Sequence, residues 1–224
     1  MNPVELTLIA SRLKAVCDEM GGVLRRAAFS PNIRDRLDFS CAIFDAAGDL
    51  CAQAAHIPVH LGSMAYAMRT IVNRVSWTPG DTLVFNDPYL GGTHLPDVTL
   101  VSPLFVDDRL RAFVANRAHH ADIGAESPGS MPISSSLAQE GIVLEPAFLI
   151  RNGEWNSELR EKSVGSARTP DESLGDFRAQ VSANLAGLQR LKGLIEKMQA
   201  CSFQQAVDTL NDYGETLARQ MVAD

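Results

Sequence analysis

The residues that could do chemistry in this 224-residue chain are concentrated in one region. All five histidines fall within one third of the sequence, beside loop-forming segments: His56, His60, His94, His119 and His120. A single histidine is more often a core or surface residue than a ligand. Imidazole and carboxylate groups together, however, favour Zn, Mn or Fe. The clustering therefore predicts a divalent metal site, provided that folding brings these segments together.

A predicted hairpin joins two of the histidine segments. Residues 98–106 and 110–118 are apolar runs, and residues 107–108 are two aspartates suited to a tight turn. If those two residues form the turn, paired positions sum to about 215, so that Asp97 faces Ala118. Two polar clusters more than twenty residues apart in sequence are therefore expected to meet at the open end of this hairpin.

At that open end, His94 is expected just beyond the strand that begins near Asp97. His119 and His120 are adjacent, so on an extended backbone their side chains point to opposite faces. Only one of them can be a direct ligand, and strand parity does not decide which. The other, together with Asp122, Asn116 and Arg117, is a candidate to orient the ligands or to contact substrate.

A second predicted hairpin pairs residues 39–44 with residues 50–54. Its register places Asp38 near the segment that carries His56 and His60, so these three residues are expected to share a neighbourhood. Nothing in the local pattern joins that neighbourhood to the one around the first hairpin. From the residues alone, Asp38 is better explained as a carboxylate at a turn or strand start.

The remaining pattern predicts an α+β fold: a mixed body with β-hairpins and an N-terminal helix, followed by a helical C-terminal tail. Asn2 and Pro3 suit the start of the first helix, and Pro31 closes it. Further predicted elements are a helix over 62–75, a strand over 82–85, loops over 86–97 and 124–136, and helices over 174–198 and 203–221. We predict a metal-site domain over 1–170 and a helical tail over 171–224.

Composition excludes several classes of protein. A formal net charge of −7 argues against a nucleic-acid surface, which needs a basic face. No stretch approaches the roughly 18 apolar residues of a membrane span, and early charges interrupt any export signal. The four cysteines form no C-x-x-C pair, as expected for reduced thiols, so we predict a cytoplasmic protein without membrane contact. Phosphate-loop and G-x-S-x-G motifs are absent, which argues against a nucleotide site on this chain and against a serine hydrolase.

Five segments, in order, resemble the hydantoinase B/5-oxoprolinase family, whose relatives include the large subunits of biotin-independent ketone carboxylases. They cover nearly the whole chain: SPNIRDRLDFSCAIFDAAGDL, AHIPVHLGSM, FNDPYLGGTHLPD, NRAHHADIGAESPGSMP and GDFRAQVSANLAGLQRL. The resemblance implies a hydantoinase A-type partner subunit, which binds ATP and phosphorylates the substrate. It also implies that the B-type subunit holds a divalent metal at which the activated intermediate is hydrolysed or carboxylated.

The family's metal ligands map onto His94, Asp97 and His119, with Asp38 as the further ligand. The resemblance thus selects His119 over its neighbour and replaces the simpler explanation of Asp38. His120 or Asp122 is then expected to move the proton. Family members are considerably longer than this chain, which suggests a split gene or a fragment.

The leading hypothesis is the metal subunit of a hetero-oligomeric, ATP-dependent hydrolase that opens the C–N bond of a hydantoin, 5-oxoproline or a similar lactam. One alternative is a subunit of an ATP-dependent ketone carboxylase, which uses the same kind of metal site. Another is a truncated, non-catalytic chain with a structural metal or an assembly role. The absence of cysteine from the predicted ligands argues against a structural metal.

Overall fold

The computed structural model describes residues 2–55, 57–60, 62–127, 132–198 and 200–223. Its helices are α1 (Pro3–Ala27), α2 (Pro31–Arg34), α3 (Ser63–Ile71), α4 (Ser157–Val164), α5 (Pro170–Met198) and α6 (Ala200–Ala223). Its strands are β1 (Phe39–Asp45), β2 (Leu50–Ala55), β3 (Thr82–Phe85), β4 (Asp97–Val106), β5 (Arg109–His119), β6 (Ala147–Arg151) and β7 (Glu154–Trp155). None of the described helices is both long enough and apolar enough to cross a membrane.

The seven strands form one antiparallel sheet in the order β2-β1-β5-β4-β3-β6-β7. The two predicted hairpins, β1–β2 and β4–β5, therefore lie side by side, because β1 pairs with β5 along its whole length. This long-range pairing joins the two histidine neighbourhoods, which the sequence pattern leaves separate.

Helices cover both faces of the sheet. The first helix begins with a capping box between Asn2 and Glu5, and its buried stripe packs with α5 and α6 against one face. The shorter α3 packs its methionines against Phe44 and Phe113 on the other face. The predicted α+β class, with its N-terminal helix, hairpins and helical C-terminal part, is confirmed.

The C-terminal helices belong to the same hydrophobic core as the sheet. The side chains of Ala183, Leu191 and Ile195 from α5 pack with α1 and the sheet, and Phe203 and Val207 from α6 join them. The predicted domain boundary at residue 170 stays a prediction. The sequence pattern did not predict α4 or the short β6–β7 hairpin, and part of the predicted 124–136 loop lies outside the described residues.

A β-bulge changes the predicted register of the β4–β5 hairpin. Beside the two-residue turn, the numbers of paired residues add up to 215 as expected, as for Val106 and Arg109. Between Phe105 and Leu104 the register shifts, because β5 has one extra residue there, and Leu104 pairs with Ala112. Asp97 therefore pairs with His119. The prediction that Asp97 faces Ala118 was wrong by one position, because turn arithmetic assumes an uninterrupted ladder. The shift puts the carboxylate of Asp97 beside the imidazole of His119 on the same face of the sheet.

Candidate metal centre

Three of the predicted ligands stand at one end of three neighbouring strands. Asp38 immediately precedes β1, Asp97 begins β4 and His119 ends β5. The backbone N–H of His119 donates to the carbonyl of Asp38 at 3.0 Å, which holds the two strand ends together. The sheet therefore carries these three side chains to a single point on the face that α3 covers.

A shaped loop brings in His94. After the 3₁₀ turn Pro88–Leu90, Gly91 takes a φ of +87°, and a Cβ there would lie 2.7 Å from the backbone nitrogen of Ala67 in α3. Only glycine allows this close approach of the loop to α3. His94 Nε2 then lies 2.9 Å from Asp97 Oδ1, and the Asp97 N–H donates to the His94 carbonyl at 3.1 Å.

His60 completes the cluster from a 3₁₀ turn, Pro58–His60, just before α3. Its Nε2 lies 3.2 Å from Asp97 Oδ2 and its Nδ1 lies 3.0 Å from Ser40 Oγ. The predicted proximity of Asp38 and His60 is found, since their ligand atoms lie within 4.8 Å of one another and of Asp97. His56, which the same prediction included, lies outside the described residues.

The carboxylate of Asp97 lies at the centre of the cluster. Its Oδ1 faces His94 and, at 3.5 Å, Nδ1 of His119, while Oδ2 faces His60 and accepts a hydrogen bond from Thr93 Oγ1. Two sets of ligand atoms lie within metal-binding distance of one another: His94 with Asp97 and His119, and Asp38 with His60 and Asp97. The two sets share only Asp97.

These residues fit a divalent ion. His119 Nδ1 is 3.5 Å from Asp97 Oδ1 and 3.6 Å from Asp38 Oδ2, longer than ordinary hydrogen bonds, and its buried Nε2 has no hydrogen-bond partner among the described residues. A buried imidazole that is weakly engaged beside two carboxylates suits a ligand position. The donor set of imidazoles and carboxylates, without thiolate, matches Zn, Mn or Fe.

The carboxylate of Asp97 and the imidazole of His94 stabilise each other's charged forms. Burial by itself raises the pKa of Asp97, but the imidazoles of His119, His60 and His94 outweigh it and lower that pKa below the usual range. The hydrogen bond to Asp97 raises the pKa of His94, against the opposing effect of burial. Asp97 is thus ionised at neutral pH and is ready to bind a cation.

The raised pKa of His94 predicts how the metal-free chain responds to pH. A histidine whose pKa rises on folding stabilises the protein fully below its unfolded-state pKa of about 6.5, and this stabilisation is lost as pH rises through the folded value. We expect the melting temperature of the EDTA-treated chain to fall as pH increases above about 6.5. His94→Gln should remove this alkaline decrease, and an unchanged pH dependence in that variant would contradict the assignment.

His120 and Asp122 lie apart from the cluster. The His120 ring is buried on the α5 side of the sheet, where Nε2 is 2.9 Å from Gln180 Oε1 and the ring packs against Phe177. Asp122 accepts hydrogen bonds from the backbone N–H groups of Gly124 and Arg168. The structure does not bring either residue to the predicted ligands, so their role in proton transfer stays a prediction without support from these contacts.

Arg117 is one of the residues that the sequence pattern named as candidates to orient the ligands or to contact substrate. It is fully buried on the same face of β5 as His119 and donates to Thr99 Oγ1, Ser63 Oγ and the Gly91 carbonyl at 2.7–2.9 Å. Burial lowers the pKa of Arg117 to about 10, so it is a cation at neutral pH. One side chain thus ties β4, α3 and the His94 loop together behind the cluster.

The chain is similar in sequence to proteins of one family. The sequence model of the family described as Hydantoinase B/oxoprolinase matches residues 2–224. A Methanocaldococcus jannaschii protein of uncharacterized function is 40% identical over 230 residues, covering 100% of this chain and 41% of that protein. A 5-oxoprolinase of Dictyostelium discoideum is 37% identical over 87% of this chain and 16% of its own length. A Pseudomonas sp. protein, provisionally named as the B-type component of a D-/L-hydantoinase, is 30% identical over 99% of this chain and 39% of its own length.

Two solved structures share the fold. The ATP-dependent caprolactamase from Pseudomonas jessenii superposes with a TM-score of 0.90 at 24% identity, covering 100% of this chain and 39% of that chain. Nucleotide-free acetone carboxylase superposes with a TM-score of 0.85 at 20% identity, covering 92% and 28%. The chain therefore spans less than half the length of each of these relatives and structures.

Proposed function

Because the chain belongs to the hydantoinase B/oxoprolinase family, we propose that it is the metal-binding B-type part of an ATP-dependent cyclic-amide hydrolase. In this proposal an A-type partner chain uses ATP to phosphorylate a hydantoin, 5-oxoproline or a similar lactam, and the two chains act in a hetero-oligomer. The observation that carries the proposal is the cluster of imidazoles and carboxylates around Asp97. The similarity to a 5-oxoprolinase and to a protein named as a hydantoinase component supports the substrate class and the partner.

The proposed ligands of a divalent ion are His94, Asp97, His119 and Asp38. When bound, such an ion would polarise a carbonyl oxygen and make water more acidic. The side chains of His94 and Asp38 are 22% and 27% exposed, whereas that of Asp97 is 2% exposed. Substrate would therefore approach from the side of His94 and Asp38, while Asp97 anchors the ion from the protein interior.

Metal content is the first test of this proposal. The purified chain is expected to hold one divalent ion, and His94→Ala is expected to lose most of it because one of four ligands is gone. Elemental analysis of both proteins measures this, with circular dichroism as the check of folding. An unchanged metal load in the variant would contradict the proposal. A variant that no longer folds would favour a structural metal.

Activity with the cognate A-type partner is the second test. The mixture is expected to open a lactam or hydantoin ring only with ATP present, and His94→Ala should abolish ring opening while the partner remains intact. The test measures the rate of ring opening for each member of a panel of lactams, with and without ATP, for the wild type and for His94→Ala. If the chain bound metal normally but no member of the panel were opened, hydrolysis would be rejected.

Carboxylation of a ketone is the second candidate, because acetone carboxylase has the same fold over 92% of this chain. Both reactions would use the same metal site after phosphorylation of the substrate, so the cluster by itself does not separate them. ATP turnover that depends on bicarbonate would identify carboxylation. A purely structural metal is less well supported, since none of the clustered ligands is a cysteine.

A further inference from the structure

His60 differs from the other two histidines of the cluster. Its side chain is completely buried, and each of its ring nitrogens has a protein partner, Ser40 on one side and Asp97 on the other. His94 is partly exposed, and His119 has a buried nitrogen without a partner among the described residues. An imidazole that already has two partners suits a supporting position better than a ligand position.

The direction of these hydrogen bonds follows from their partners. An ionised carboxylate only accepts, so the His60 nitrogen that faces Asp97 Oδ2, Nε2, carries a proton. The Ser40 hydroxyl is buried, and among the described residues its one hydrogen-bond partner is His60 Nδ1. If Ser40 accepted from Nδ1, its own O–H would be left buried without an acceptor. Ser40 therefore donates to His60, and His60 donates to Asp97.

This relay of two hydrogen bonds, from Ser40 to His60 and from His60 to Asp97, determines which oxygen of the Asp97 carboxylate is free to bind an ion. Oδ2 of Asp97 receives hydrogen bonds from His60 and from Thr93 Oγ1, which fix that oxygen to the protein. Oδ1 is the oxygen that faces His94 and His119. The two carboxylate oxygens thus have different surroundings: Oδ2 lies against two hydrogen-bond donors, and Oδ1 lies against two of the proposed metal ligands.

We propose that His60 is a positioning residue, not a metal ligand: with Ser40 behind it, it orients Asp97 so that only Oδ1 is offered to the ion. The inference rests on the proposed function, because it presumes metal binding at His94, Asp97 and His119. We therefore expect one ion per chain. A second ion held by Asp38, His60 and Asp97 would have to displace the proton on His60 Nε2, which is donated to Asp97 Oδ2.

Two amide substitutions separate the two ring nitrogens. In His60→Gln the side-chain amide nitrogen stands near the position of Nε2 and can still donate to Asp97. In His60→Asn the amide group reaches only the position of Nδ1, so the partner of Ser40 is kept and the donor to Asp97 is lost. The full chain, stripped of metal, is titrated with Co²⁺ by calorimetry, and the visible absorption of the bound Co²⁺ reports its ligand set.

We expect one Co²⁺ per chain in the wild type and in both variants. His60→Gln should keep the wild-type absorption bands and bind at most about 10-fold more weakly than the wild type, because it loses only the hydrogen bond from Ser40. His60→Asn should bind about 10- to 100-fold more weakly, with bands of the same positions, because a supporting residue and not a ligand is lost. If His60 only stabilised the fold, the two variants would not differ in Co²⁺ affinity while circular dichroism shows the same helical content in both.

Other outcomes overturn the inference. Two Co²⁺ per wild-type chain with one lost in His60→Gln, or a shift of the absorption bands in that variant, would make His60 a ligand. If His60→Asn does not fold, Ser40→Ala tests the same relay: a loss of affinity of up to about 10-fold supports it and an unchanged affinity contradicts it. His94→Ala is the separate control, because Co²⁺ binding that is absent in the wild type or undiminished in His94→Ala contradicts the proposed function itself.

Discussion

Replacing Asp97 by Asn is expected to weaken metal binding by more than about 100-fold, beyond the range for residues that only support a ligand. The carboxylate is the one group that contacts all three imidazoles of the cluster, and Asn removes its charge. Calorimetric titration of the stripped chain with Zn²⁺ or Mn²⁺ measures the loss.

The same change should also destabilise the metal-free chain at neutral pH. Asp97 has a pKa below its usual range, so it stabilises the folded state above the unfolded-state pKa of about 3.9, and this stabilisation is lost as pH falls through the folded value. The difference in melting temperature between wild type and Asp97→Asn should therefore be large at pH 7 and diminish in acid.

A matched control lies at the far end of the same hairpin. Asp108 has a positive φ of 56° in the two-residue turn, a position that Asn also tolerates. Asp108→Asn removes one carboxylate from the same pair of strands without touching the cluster, so metal affinity should stay unchanged. Equal affinities of Asp97→Asn and Asp108→Asn would refute the central position of Asp97.

The second large effect is expected at Arg117, on stability. Arg117→Met keeps much of the apolar volume but leaves three acceptors without their donor: a buried one on Thr99 and two half-buried ones on Ser63 and Gly91. A buried acceptor left unpaired costs about 1–3 kcal/mol and a half-buried one less, while removal of a desolvated cation offsets part of the sum. We expect a net loss of about 3 kcal/mol.

Thermal denaturation of the metal-free chain checks this value. For a chain of this length about 3 kcal/mol corresponds to a decrease in melting temperature of roughly 6–12 °C. Arg117→Lys is the matched variant: it keeps the charge, but a single ammonium cannot reach three acceptors in the geometry of a guanidinium, so most of the loss should remain. A melting temperature within about 2 °C of wild type, by the same scale below about 1 kcal/mol, would show that the guanidinium is dispensable.

Local sequence predicted the part of the cluster that the β4–β5 hairpin carries. Two aspartates at a tight turn, with apolar runs on either side, placed His94, Asp97 and the His119–His120 pair at one end of a hairpin. The structure has them there. The extra residue of the bulge was outside the turn arithmetic, because that arithmetic counts one residue on each strand per step, whereas a bulge sets two residues of one strand against one of its partner.

Strand order decided the rest of the cluster. Sequence alone placed Asp38 near His60 but left that pair apart from the first hairpin, since antiparallel strands of different hairpins carry no local signal for which edge pairs with which. The structure pairs β1 with β5, which brings Asp38 to His119. The resemblance to the family had placed Asp38 with the other ligands without giving the pairing that explains it.

The sequence by itself determined most of the elements of this protein and the chemistry of its candidate ligands, because helix caps, turn residues and apolar periodicity act over a few neighbours. Only the tertiary structure decided which of two adjacent histidines faces the cluster. On β5, Arg117 and His119 point toward α3, whereas His120 points toward α5 and bonds Gln180. That choice depends on register and on which helix covers which face, and both are set by contacts between residues distant in sequence.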